Sequence, residues 1–240
     1  DLNVLGHLDA IRARRPDIKG LLYFQYHAAL CAEVLLDRLK NDPGRLLADV
    51  ETFRRAHPDF ADVPSVTAET LRTWAFWMAT GSGKTILLHI AVLQFEHYEP
   101  FAAENVVLLT PGEGLTRQHL DEFAKSGIPA VHASQADAAF RGVQVVEITR
   151  LYDDTTATGQ KRSGKGVSIP LSLFEGPNVV FVDEGHKGTF GAADMKEERS
   201  WRSIRETLGK DGLTVEYSAT FGQVADADES LGDFYARTVA

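Results

Sequence analysis

One cysteine, Cys31, in a chain of 240 residues excludes an internal disulfide and fits a reducing, cytoplasmic setting. It lies in an apolar helical run, where the thiol is expected to be buried and inert. No apolar stretch approaches the roughly 18 residues of a membrane span, and the start carries no signal-peptide pattern, so no membrane partner is expected. The eight histidines include neither His-Glu-x-x-His nor Cys/His pairs at zinc spacing, so no structural metal is expected. Basic residues are outnumbered 25 to 34, for a formal charge of −9. That balance argues against strong nucleic-acid binding by the surface at large and leaves room for a local contact strip. The chain starts at Asp1 instead of methionine, which reads as an excised or processed piece.

What is present is ordinary for a globular protein: 44% hydrophobic and 25% charged residues. The length supports a sizeable core. Leu2, Leu5, Leu8 and Ile11 recur every three residues before Pro16 and predict a short helix. A longer helix is predicted over 21–40, with Leu22, Tyr26, Ala29, Leu30, Val34 and Leu35 on its inner side and Glu33, Asp37, Arg38 and Lys40 toward water. Asn41-Asp-Pro-Gly44 ends it, a third helix runs from about Arg45 to Ala56, and 57–65 reads as a loop. From Thr73 the pattern alternates. Strands are expected at Trp74–Met78, Val106–Thr110, Val143–Thr149, Val179–Asp183 and Thr214–Ser218, with helices at about 84–97, 115–125 and 196–208. Such alternation specifies an α/β fold with a parallel sheet flanked by helices. Residues 153–168 form a polar insertion, whose Lys161, Arg162 and Lys165 are the only dense basic loop outside the motifs.

Met78-Ala-Thr-Gly-Ser-Gly-Lys-Thr85 sits between the first of those strands and a helix start, the setting in which a phosphate-binding loop works. Gly81 and Gly83 can take backbone angles closed to other residues, so that successive N–H groups, with that of Ser82, face an anion. Lys84 would reach the terminal phosphates of a nucleotide, and the Thr85 hydroxyl would be a Mg²⁺ ligand. The strict pattern has glycine where Met78 stands; the bland alternative is a glycine-rich helix cap. Asn178-Val-Val-Phe-Val-Asp-Glu-Gly-His186 is the second decisive stretch, an apolar strand ending in two carboxylates. In a nucleoside triphosphatase the first, here Asp183, holds Mg²⁺ and the second, Glu184, orients or deprotonates the attacking water.

Met-Ala-Thr-Gly-Ser-Gly-Lys-Thr, Asp-Glu-Gly-His and Ser218-Ala-Thr220 stand in the order and approximate spacing of the first motor domain of superfamily-two helicases, with Asp-Glu-Gly-His resembling the Asp-Glu-Ala-His box. The resemblance covers about residues 20–222. Its wording is most similar to the helicase subunits of type III restriction enzymes and related defence or repair helicases. It implies a RecA-like P-loop domain over 73–222, an N-terminal helical extension over 1–72, and an acidic linker, 223–240, toward a second motor domain.

Residue by residue, the resemblance implies further roles. Val107-Leu-Leu-Thr-Pro-Gly112 with Thr116 and Arg117 matches a loop that touches nucleic-acid backbone, so Pro111, Gly112, Thr116 and Arg117 are contact candidates. Thr149 and Arg150 match a second such strand end. Gln25 matches the glutamine that reads adenine, although it stands farther from Lys84 than is usual; a half-buried polar helix residue is the alternative. Ser218, Ala219 and Thr220, with His186, would relay nucleotide state to the nucleic-acid grip.

The whole protein is accordingly expected to be an ATP-dependent DNA helicase or translocase, working with its second motor domain and with a methyltransferase or specificity subunit. The motifs do not separate DNA from RNA, so an RNA helicase is one alternative and a non-catalytic nucleotide-binding module is another. The arginine that completes such ATP sites belongs to the second domain and is worth about 10³–10⁵ in turnover. The segment alone is therefore expected to bind nucleotide and hydrolyse it poorly.

Overall fold

A computed structural model describes residues 2–60, 64–154, 168–183 and 195–219, with the backbone alone at 2 and 195–200. Glu184, His186, Thr220, the 161–165 basic loop and the acidic stretch after 222 lie outside the described residues. The chain divides into two compact units, residues 102–217 and the remainder.

In the unit formed by 1–101 and 218 onward, three α-helices precede the first strand among the described residues: α1 (Leu2–Arg12), α2 (Tyr23–Asn41) and α3 (Pro43–Ala56). They are followed by β1 (Thr73–Trp77) and α4 (Lys84–Tyr98). The third helix starts two residues earlier than its periodicity suggests. Asp42 caps it by accepting from the Arg45 N–H, and Pro43 takes the first helical position, where a missing N–H costs nothing. Helix α4 is apolar nearly all round and buried from Leu87 to Val92, so α1 and α2 pack against it. Polar ties fix that packing: Gln94 Nε2 donates to the Ala29 carbonyl at 2.8 Å, and the Tyr98 hydroxyl donates to Glu33 at 3.2 Å.

That last bond corrects the expected face of α2. Its buried residues are Gln25, Ala29, Ala32, Glu33 and Leu36; Glu33 is 4% exposed, whereas Val34 is 49% exposed. The inner stripe is rotated toward Glu33, whose carboxylate finds the Tyr98 hydroxyl. Cys31 accordingly turns outward and is exposed, not buried as its apolar neighbours suggested.

The unit 102–217 contains β2 (Asn105–Thr110), α5 (Glu113–Ser126), β3 (Ala130–His132), β4 (Val143–Glu147) and β5 (Leu151–Tyr152). Then come β6 (Ile169–Pro170), β7 (Asn178–Asp183), α6 (Met195–Gly209) and β8 (Leu213–Ser218). Strands β8, β7, β2, β4 and β3 lie side by side in that order and pair in parallel. The parallel α/β sheet flanked by helices expected from the sequence is borne out. Such strands are covered on both faces, so β7 reads as a continuous apolar run. Val107, Leu109, Val180 and Val182 pack on one face with Ile204 and Leu208 of α6.

The register matters most for function. Thr110 pairs with Glu147, Leu109 with Val182, and Asp183 with Tyr217, so Thr110, Glu147, Asp183 and Tyr217 form one row at the carboxyl edge of the strands. That edge is where ligands of open parallel sheets bind. Strand β4 stops at Glu147, and 148–150 form a 3₁₀ turn, so Thr149 and Arg150 sit on a turn and not on a strand end. No helix among the described residues is long and apolar enough to cross a membrane.

Candidate functional site

The loop after β1 is anchored at its start. Met78 is buried, and its N–H donates to the Ser218 carbonyl at 2.9 Å. Trp77 adds a 3.1 Å bond from its indole N–H to the Ala219 carbonyl. The position where the strict loop pattern has glycine thus anchors the loop's start through its backbone N–H. Gly81 and Gly83 then take φ of 77° and 85°, the left-handed region that favours glycine. Helix α4 starts at Lys84 with no side chain capping it, so its first-turn N–H donors face the loop.

Gln25 closes the loop from the side. Its Nε2 donates to the Ser82 carbonyl at 2.7 Å while its Oε1 accepts from the Leu22 N–H at 2.8 Å. A Cβ on Gly83 would collide with that amide, so the second glycine is needed for space as well as angle. The loop fits an anion such as a nucleotide phosphate. A Cβ at Gly81 would meet open space, and the Ser82 hydroxyl is buried with no hydrogen-bond partner among the described residues.

At the sheet's carboxyl edge, Asp183 Oδ2 lies 2.8 Å from His119 Nε2, with the side chains 11% and 4% exposed. Asp183 offers carboxylate oxygen at this edge, the donor type a hard cation such as Mg²⁺ prefers. Burial, followed by the charge of Asp183, pushes the neighbouring Tyr217 phenol up, so it stays neutral.

The expected nucleic-acid contacts separate into two kinds. Pro111 and Gly112 are half-buried at the entry to α5, whereas Thr116 is buried and its hydroxyl lies 2.6 Å from that of Thr110. Arg117 is 73% exposed and paired with Glu113 at 2.9 Å. Thr149 is exposed, and Arg150 is paired with Glu147 at 3.0 Å and reaches Glu113 at 3.9 Å. Glu113 therefore joins Arg117 and Arg150 into one charged group. Glu147 is also bound by His132 at 3.1 Å.

Residues 45–223 match the family described as type III restriction enzyme, res subunit. The chain belongs to that family. Residues 1–44, and with them Gln25, fall outside the matched stretch. No curated protein matches the chain by sequence. Among solved structures it is similar to Saccharomyces cerevisiae Dbp5, a variant bound to RNA and ADP–BeF₃, at 15% identity and a TM-score of 0.39. The match covers 88% of this chain, which spans 48% of that one.

Sequence reasoning about this res-subunit family member missed His119, Glu113, His132 and Glu147. A signal for His119 was available. Thr116, His119, Phe123 and Ser126 recur at helical spacing and are the buried face of α5, a polar stripe where an aliphatic one would serve packing.

Proposed function

We propose that this helicase-family ATP-binding domain is the ATP-binding lobe of a DNA helicase or translocase from a restriction, defence or repair system. The observation that carries the reading is the loop from Met78 to Thr85, which enters α4 through two left-handed glycines and leaves a buried hydroxyl without a partner among the described residues. Membership of the res-subunit family supports the restriction context. Residues 1–72 are read as the helical extension and 73–222 as the motor lobe.

In this reading the N–H groups of Gly81 to Gly83 and the start of α4 bind the β- and γ-phosphates. Lys84 neutralises charge that grows on the transferred phosphoryl group. Thr85 and Asp183 are the residues that would hold Mg²⁺, which when bound would supply electrostatic stabilisation of that charge. Glu184 orients the attacking water, and Ser218 to Thr220 with His186 pass nucleotide state onward. Arg117, Arg150, Thr149 and the Pro111–Gly112 turn grip nucleic-acid backbone, a contact that positions a strand without reading its sequence. A methyltransferase or specificity subunit would supply sequence recognition.

Replacing Lys84 with alanine tests the loop: ATP should raise the melting temperature of the chain and leave that of Lys84→Ala unmoved. A shift that survives the substitution would sink the assignment. For the polymer, ATPase activity of the full-length protein is compared with duplex DNA, single-stranded DNA and RNA as stimulants. Stimulation by RNA alone would overturn the DNA reading.

A further inference from the structure

We infer that His119 is a positioning residue for the magnesium carboxylate, fixing one oxygen of Asp183 so that the other stays directed to the metal's water shell. The inference rests on the reading of Asp183 as that carboxylate.

Two observations and one rule of donor chemistry carry it. The 2.8 Å bond from His119 Nε2 to Asp183 Oδ2 is nearly dry, which strengthens it and locks rotation of the carboxylate. An ionised carboxylate only accepts, so Nε2 must carry the hydrogen and donate. The other ring nitrogen, Nδ1, is buried with no hydrogen-bond partner among the described residues, so Asp183 is the ring's one described polar contact. If imidazole were present for packing alone, an aliphatic side chain would fill the place without the cost of burying a polar group.

Helix α5 sets the ring's position. Phe123, one turn further on, is fully buried and lies against the imidazole at 6.4 Å between centroids. The carboxylate is anchored by its place at the end of β7, level with Tyr217 on β8. Partners of this kind orient a metal's ligands, and their loss costs about 10–100-fold in metal affinity.

The test is calorimetric binding of a non-hydrolysable ATP analogue to the chain, across a magnesium titration and with the metal chelated. His119→Leu should raise the magnesium concentration at half-effect about 10–100-fold and leave metal-free nucleotide binding unchanged. His119→Gln, whose amide N–H can take the place of Nε2–H, should restore the midpoint to within a few-fold. A wild-type midpoint in His119→Leu overturns the inference, as does an equal loss in both variants that persists without metal. Should His119→Leu not fold, His119→Asn replaces it: its shorter amide should lose what glutamine keeps, and equal midpoints overturn the inference. Asp183→Asn separates the two levels. If it retains wild-type magnesium dependence, the reading of Asp183 fails; if it loses it while His119→Leu does not, only the role of His119 fails.

Discussion

Gln25 Nε2 donates to the Ser82 carbonyl across 57 positions of sequence, and its Oε1 is engaged by the Leu22 N–H. Helix α2 thereby takes hold of the glycine loop through one side chain, and both ends of the amide are already in use. Oε1 at helix position N3 reaching back to the Leu22 N–H is also half of a capping arrangement, which fixes where α2 begins.

Gln25→Ala should therefore weaken every ligand that uses the loop. A hydrogen bond of this kind is worth about 1 kcal/mol net, roughly a fivefold loss in affinity. Titrating ATP and inorganic tripolyphosphate into both proteins checks it. Equal losses identify a clamp on the loop, and a loss confined to ATP identifies an adenine reader.

Glu147 predicts a pH response. Burial raises its pKa, but His132, its own backbone N–H and Arg150 together outweigh burial and hold the carboxyl below its ordinary value of 4.5. A carboxylate depressed in the folded state adds stability that is fully present above the unfolded value and is lost as pH falls through the folded one. The stability gap between the natural chain and Glu147→Gln should thus be widest near neutrality and close on acidification below the ordinary glutamate range. Urea unfolding over a pH series measures it; a gap independent of pH would refute this account.

Arg205 and Glu216 form a buried pair, 3.3 Å apart, between α6 and β8. Glu216→Ala should destabilise by about 3–5 kcal/mol, because it leaves the guanidinium in a dry setting without its carboxylate. The double replacement Arg205→Met, Glu216→Leu should recover most of that loss, since a well-packed apolar pair of similar volume is often as stable. Denaturant midpoints of the three variants decide the matter, and a double variant no better than Glu216→Ala would argue that the charges are needed as such.

The local parts of the molecule were legible in the sequence. The glycine loop before α4 is dictated by glycines and a helix start within eight residues, and β2, β7 and β8 by short apolar runs whose ends fall within a residue or so of their predicted places. Short-range patterns carry no information about distant partners, and there the reading failed or was silent. Val34 and Cys31 looked internal until Glu33 found Tyr98. The three-residue β3 is too short to announce itself. It exists because its backbone pairs with β4. His119 and Asp183 meet across 64 positions, Gln25 and Ser82 across 57, and no periodicity encodes either meeting.

Helix α5 begins with Glu113, which holds Arg117 and reaches Arg150, and within two turns it delivers His119 to Asp183. If the arginines grip a strand and the carboxylate a cation, a single rigid rod of 14 residues is shared by both equilibria. Thermodynamic linkage then admits no one-way signal. By whatever factor the cation tightens or loosens the hold on the strand, the strand must change the hold on the cation by the same factor.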